Sequence, residues 1–507
     1  MSSGSWNTRM TSRGASSLDA LVATLLAALV CAVHDVRYLL SAPFWVDEAW
    51  VAASTRVPLH DLPLVSSTTP VLFSLLLRAA PGGDQGLRLV PLAFAGAAGG
   101  AAYLAGRAAR LSRVASAALL GVPVLLAPAM LVRDDLKQYT AEGFWSVLVV
   151  LLLLRLEAEW SRSRLAVLAA TCGLGVLLAN ADLFLGSAAL LAAAAVCLAR
   201  RRWARLRDVV VAGATAGLGM VLVLAAFVLP NRNQLLRHYW DAFYPTGGLS
   251  SGEAYVRTHL PKVADAVGLG RPALVVTIAL LAAAVLCAVG RPAVGLLLPV
   301  AWTENAVAGR ARLFPLLDVR TSTWLCVLVV VVAGLGVGLL LGRIRARGAL
   351  ITAPASVAVG LAYILHNGQD VGEHRIPAED VRCQAHFVDD HRRPGDIVVL
   401  DVGANWGFGY YSSTEPLRPV RSSTVANGYV LAYGPSVVTM TGRARADASA
   451  AIRTARSRVA PGGQILVVRS HVIPTEGQGW RDVQTSTPGA RPVRCGTESL
   501  LTVPAPR

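Results

Sequence analysis

Charge is what this sequence has least of. Asp, Glu, Lys and Arg make up 15% of its 507 residues, against about 25% in an ordinary soluble domain. Lysine is nearly missing: Lys137 and Lys262 are the two in the chain. Aromatic residues account for 6%, and cysteine occurs seven times. So little charge in a long chain that is 54% hydrophobic, with mean hydropathy +0.52, excludes a soluble globular enzyme and a disordered protein. Seven cysteines spread over this length exclude a small disulfide scaffold. The net charge of +16 would suggest a polyanion partner in a soluble protein. Here the arginines fall between apolar runs, where charge sets membrane orientation instead. The chain reads as a polytopic membrane protein with no nucleic-acid partner.

A helix crossing the hydrocarbon core needs about 20 mostly apolar residues. Eleven stretches are candidates: 18–40, 88–106, 114–131, 143–156, 165–180, 183–199, 208–229, 272–290, 292–304, 321–341 and 348–365. Residues 1–17 form a short cytoplasmic leader, and the first stretch is a retained helix, because no small-residue cleavage site follows a short apolar core. Arginine clusters at 107–113, 155–164, 200–207, 291 and 343–347 all fall on the cytoplasmic side if the N-terminus does. The transmembrane domain is then 18–365, with outer loops 41–87, 132–142, 230–271 and 305–320. Residues 69–80 are apolar but short and flanked by Pro70 and Pro81, which predicts a helix lying at the outer interface. Read as a crossing helix, the same segment would put every later arginine cluster outside.

Beyond about residue 366 the long apolar runs stop, and 366–507 reads as an extracytoplasmic α/β domain. Residues 397–402 and 464–469 are short continuous apolar runs after Pro-Gly turns, the pattern of buried strands, and 446–459 has helical periodicity. Five cysteines lie in apolar stretches, as small buried hydrophobes do. Cys383 and Cys495 bracket the tail and form a candidate disulfide in an oxidising compartment.

Two acidic clusters sit in outer loops at the ends of spans. Asp47 and Glu48 lie among Phe44, Trp45 and Trp50; Asp134, Asp135 and Glu142 lie in RDDLKQYTAEGF. Carboxylates at a membrane boundary are costly to place unless solvated or used. Basic residues share that face against the positive-inside bias: Arg133 and Lys137, then Arg310, Arg312 and Arg320, with Arg232, Arg237, His238, Arg257, His259 and Lys262 in the 230–271 loop. They either meet lipid headgroups and acidic neighbours or bind a phosphate at headgroup level. A carboxylate that takes a proton from an acceptor hydroxyl, with cations that stabilise a departing phosphate, is the chemistry of transfer from a lipid-linked phosphate donor. A single displacement of that kind inverts the anomeric centre.

At these residues the sequence resembles the GT-C class of membrane glycosyltransferases, in the branch of the protein O-mannosyltransferases and the lipid A aminoarabinose transferase. Asp47 and Glu48 occupy the place of that class's acidic pair in the first outer loop. TTPVLFSLLL and GLRLVPLAFAG resemble its interfacial helix and the start of its next span. Lys137, Gln138, Tyr139, Thr140 and Glu142 fill a Lys-Gln-Tyr-Ser/Thr motif with a following acid, and LFPLLDVRTSTWL resembles a later loop of actinobacterial relatives, centred on Arg320. The resemblance implies an all-α GT-C-like membrane domain of about eleven helices, followed by the α/β tail. It implies a multi-pass protein of the bacterial plasma (inner) membrane with a cell-envelope role, acting as a hexosyl- or pentosyltransferase. The donor would be a polyprenyl-phosphate sugar, and the acceptor an extracytoplasmic glycan, lipid or protein of the cell wall. Asp47 and Glu48 take the catalytic positions, Asp47 as base. Lys137, Tyr139, Arg310, Arg312 and Arg320 are placed on donor phosphate. Asp134, Asp135 and Glu142 either position the acceptor or hold a divalent metal, which some members need. The chain departs from well-known members in its outer tail and in lacking a motif that defines donor or acceptor. Its Ala- and Arg-rich, Lys-poor composition is that of a high-GC bacterium such as an actinobacterium.

Three other readings compete. VVLDVGANWGF followed by APGGQILVV resembles the glycine loop and a later strand of a methyltransferase, whose glycines let the backbone approach a cofactor. No acidic strand end follows at the spacing a ribose ligand needs. The same glycines, Gly403, Gly407 and Gly409, interleave with Trp406, Tyr410 and Tyr411, an arrangement suited either to sugar stacking or to packing. A lipid-linked glycan transporter would use acids inside its spans, where Asp35, Asp182 and Glu304 are the exceptions near span ends. A catalytically inactive GT-C scaffold that binds glycan is the third.

Overall fold

The computed structural model describes residues 5–66, 69–81, 83–131, 136–231, 233–344, 352–368, 379–414, 417–496 and 498–505. The chain divides into two compact units. The first comprises Met1–Val36, Leu89–Ala225 and Trp240–His374, the second Arg37–Arg88, Ala226–Tyr239 and Arg375–Arg507.

The first unit is helical. Each of the eleven apolar stretches overlaps a helical segment among the described residues. Among the described residues four helices are long and apolar enough to cross a membrane: Leu89–Ala108, Asp182–Ala199, Trp203–Val228 and Thr323–Arg343. The apolar helices Ser17–Val33, Arg113–Leu126 and Pro272–Ala288 are shorter. The first stretch is not one continuous helix, since the chain breaks between Val30–Val33 and Val36–Ser41. Small residues set the spacing where helices meet. A Cβ at Gly96 or Gly100 would lie 2.6 or 2.8 Å from the carbonyl oxygens of Ala27 and Ala23, so only glycine admits the 5–28 helix this close. Several polar groups inside the unit are paired, as an apolar surrounding favours. Ser146 donates to the Trp324 carbonyl at 2.9 Å, and Ser187 donates to Glu304 at 2.6 Å. Arg107, Arg113 and Tyr103 all converge on Asp19, at 3.2, 2.7 and 2.8 Å.

The second unit is built on a five-stranded sheet. Among the described residues seven strands, β1 (Ile397–Leu400), β2 (Arg418–Arg421), β3 (Tyr429–Ala432), β4 (Val437–Thr439), β5 (Gln464–Val468), β6 (Arg491–Cys495) and β7 (Glu498–Pro504), form one sheet ordered β4-β1-β5-β7-β6 and a β2-β3 pair. β4, β1 and β5 run parallel, and β7 closes on β5 antiparallel. β1 is buried along its whole length, which is why its run is continuously apolar rather than alternating. The turn before β1 is fixed by Gly395, at φ +93°, and by Asp396, which accepts from the amides of Arg393 and Gln464, both at 2.8 Å. That last bond ties the start of β1 to the start of β5. Cys383, on the Val381–His391 helix, is disulfide-bonded to Cys495 at the end of β6, with Cα atoms 5.5 Å apart.

Chain order β1, β4, β5 with β1 between the other two makes the gap between β1 and β5 the switch point of the sheet, where open α/β sheets place ligands. In this chain the gap is closed by the protein itself. Asp401 accepts from the amides of Ala404 at 2.7 Å and Ser470 at 3.0 Å, joining the two strand-end loops. A Cβ on Gly403 would collide with the Ser470 carbonyl.

Candidate functional site

The 41–87 segment, expected from the sequence to be the first outer loop, belongs to the second unit. Its helix Val46–Arg56 carries both acids in its first turn, where carboxylates complement the helix dipole. The helix packs on the buried Ala404–Tyr411 helix that follows β1. Trp50 meets Trp406 edge-on at 5.9 Å, Phe44 stacks on Tyr411 at 5.9 Å, and Tyr429 donates to the Trp50 carbonyl at 2.6 Å. Arg56 lies 3.8 Å over the Tyr410 ring. Trp406, Tyr410 and Tyr411 are thus packing residues beneath the acidic helix, which answers both the sugar-stacking and the cofactor readings of this segment.

The two acids separate in role. Glu48 is fully buried and takes two bonds from Arg88, Nη2 to Oε2 at 2.6 Å and Nε to Oε1 at 2.9 Å. The remaining Arg88 donors go to the carbonyls of Leu39, Ala42 and Pro43. All five guanidinium N–H groups are used, and the ring of Phe44 lies 4.7 Å away. Glu48 and Arg88 therefore fold the loop around the helix start. Asp47 is half-buried, and its charge acts on His471, in the loop after β5. His471 Nδ1 lies 2.7 Å from Glu379 Oε1, while Glu379 Oε2 accepts the Val46 amide at 2.9 Å. The Glu379 bond and charge, helped by Asp47, raise the His471 pKa above its ordinary value against burial and Arg443. Asp401, bonded to the Ser470 amide, and Glu476, 3.7 Å from Arg443, are buried acids whose pKa values are pushed up by desolvation.

The other expected site residues lie in the first unit. Tyr139 and Glu142 lie in the first turn of the Tyr139–Ala158 helix with Lys137 just before it, and all three are buried. Glu142 sits against the backbone of Asn180 and Ala181, and Asp182 lies buried beside the Trp145 indole. Arg310 ends the Pro292–Arg310 helix. Arg312, at φ +57°, pairs with Asp241 and lies 5.5 Å from the Tyr244 ring centroid. Arg320 lies over Trp240 at 5.9 Å. Two of the loop arginines are thus gathered on the 240–244 segment. Asp134 and Asp135, with Arg133, lie outside the described residues. Among the described residues no three His, Cys, Asp or Glu side chains are grouped to hold a metal ion.

Arg88, Glu379 and His471 were not singled out from the sequence. Arg88 carried a usable signal, a cation at the outer start of a span against the positive-inside bias. His471 carried a weaker one, its place just after a buried parallel strand.

No family model matches the chain, and no curated protein matches it. Among solved structures it is similar to ArnT from Cupriavidus metallidurans, in a crystal structure bound to undecaprenyl phosphate. The two share 12% identity and a TM-score of 0.54, with 96% of this chain and 98% of that one covered. At that identity the likeness is one of fold: the chain has an ArnT-like architecture.

Proposed function

We propose that this protein is an integral membrane glycosyltransferase of the plasma membrane. It takes a sugar from a polyprenyl-phosphate donor and passes it, with inversion, to an extracytoplasmic glycan, lipid or protein. The observation that carries the reading is the fold shared over nearly the whole of both chains with a protein bound to undecaprenyl phosphate. The geometry of the first outer loop supports it. Glu48 is committed to Arg88, which leaves the half-buried Asp47 as the carboxylate suited to be the base. As the acceptor oxygen attacks the anomeric carbon, Asp47 takes its proton and the bond to the donor phosphate breaks. Arg312 and Arg320, together with Lys137, are the cations proposed to meet the charge that grows on the leaving phosphate. The test is transfer of label from a panel of radiolabelled undecaprenyl-phosphate sugars in membranes carrying wild type or Asp47→Asn. Label reaching an envelope acceptor with the wild type alone supports the reading, and equal transfer by Asp47→Asn removes it.

One observation favours a second reading, a lipid-linked glycan transporter. Glu142 and Asp182 are carboxylates buried among the membrane helices, where ionisable groups often mark a transport path. Translocation of an undecaprenyl-linked glycan that persists in Asp47→Asn and stops in Asp182→Asn would favour it.

A further inference from the structure

Geometry places an imidazole against the start of the helix that carries the candidate base. Glu379 bridges two elements, accepting the Val46 amide at 2.9 Å and meeting His471 Nδ1 at 2.7 Å. A carboxylate at neutral pH only accepts, so Nδ1 carries the proton in that contact, and Nε2 is the ring's remaining functional atom. The backbone holds the ring there at a cost: His471 sits in the left-handed region at φ +51°, which strains a residue with a Cβ. Gly403 explains how the position is reached, since a Cβ on it would lie 3.1 Å from the His471 Cβ. The Trp45 ring, one residue before the helix, lies 6.5 Å from the imidazole, and 42% of the His471 side chain is exposed.

We infer that the C-terminal domain supplies a positioning residue to the outer-loop site: His471, aimed by Glu379, presents its ring to the start of the Val46–Arg56 helix and holds the Asp47 carboxylate in place. This rests on Asp47 being the base. The charged and titratable groups around the ring are Glu379 and Asp47, which favour its protonated form, Arg443, which opposes it and also donates to the His471 carbonyl at 2.9 Å, and Glu476, 3.7 Å from Arg443. The chemistry remains that of Asp47. The imidazole neither forms nor breaks a bond to the sugar.

The coupling is read without any substrate. Diethyl pyrocarbonate modifies the neutral imidazole, so its rate on His471, followed by peptide mass spectrometry across pH in the full-length protein, reports the ring's titration. The half-modification pH should fall by about one unit in Glu379→Gln, and by less in Asp47→Asn. An unchanged midpoint in both variants overturns the inference. In the transfer assay His471→Gln should lose about 10- to 100-fold in kcat with the donor KM unchanged. It should also lose the alkaline limb that the wild type shows as the ring deprotonates, and His471→Lys should recover part of the rate. Wild-type kcat and pH profile in His471→Gln also overturn it. Loss of transfer in Asp47→Asn alongside a silent His471 leaves the glycosyltransferase reading standing and removes this inference alone. Full transfer by Asp47→Asn removes the reading itself.

Discussion

Arg88 and Glu48 form a two-point ion pair with side chains 1% and 0% exposed, forty residues apart in sequence. Burying both charges is costly, and the pair holds because the carboxylate and every guanidinium donor are bonded. Removing one partner leaves the other charge stranded. Arg88→Ala is expected to cost about 3–5 kcal/mol, while Asp47→Asn, at a half-buried position, should change stability by about 0.5 kcal/mol or less. Thermal unfolding of the two purified variants in detergent checks the contrast. Comparable losses in both would mean that Asp47, too, is structural.

Asp389 presents the opposite electrostatic case. Burial alone would raise its pKa, but the Ser413 amide and the hydroxyls of Ser412, Ser413 and Thr414 all donate to it, at 2.7–3.0 Å, and bring it below the ordinary carboxylate value. A depressed folded pKa adds stability above the unfolded value, lost as pH falls through the folded one. Asp389→Asn should therefore destabilise at neutral pH, by about 1–2 kcal/mol. Its unfolding curve should approach that of the wild type near pH 3. A penalty that does not vary with pH would show that packing, not charge, is what the substitution removes.

Glu476 carries the reverse sign. Its side chain is fully buried and its pKa is raised, chiefly by desolvation. The folded state keeps a proton that the unfolded chain releases at lower pH, so stability is full below the unfolded value and falls as pH rises through the folded one. Glu476→Gln removes that ionisation. The variant's Tm should exceed the wild type's at pH 8 and converge with it at pH 4. A constant offset between the two curves would count against the assignment.

What was legible in the sequence follows the range of the forces involved. Spans such as Thr323–Ile344 declare themselves because nearly every residue between the helix ends is apolar. β1 and β5 do so because both faces of a central parallel strand are covered. β2 and β6 read Arg-Pro-Val-Arg and are largely exposed. Nothing in such a run separates an outer strand from a loop. The membership of the first outer loop in the C-terminal unit had no local signal. It rests on contacts such as Val46 to Glu379 and Phe44 to Tyr411, separated by 333 and 367 residues. Asp47 was visible through its aromatic, membrane-edge setting, whereas no local pattern ties Arg88, forty residues on, to Glu48.

The Cys383–Cys495 bond closes a loop of 112 residues and pins the Val381–His391 helix to the outer edge of the sheet at β6. In a chain-entropy account a cross-link of that span restricts the unfolded state by about 4–5 kcal/mol, though measured values are commonly about 2–4 kcal/mol. Replacing both cysteines by serine should lower stability within that range. The bond also reports on orientation, because it persists only in an oxidising compartment. The other five cysteines, Cys31, Cys172, Cys197, Cys287 and Cys326, are unpaired. Membranes from cells quenched in acid, denatured in SDS and treated with a maleimide-polyethylene glycol reagent should show five adducts, rising to seven after reduction. Seven adducts without reduction would place the C-terminal domain on the reducing side and overturn the outward orientation on which an extracytoplasmic acceptor depends.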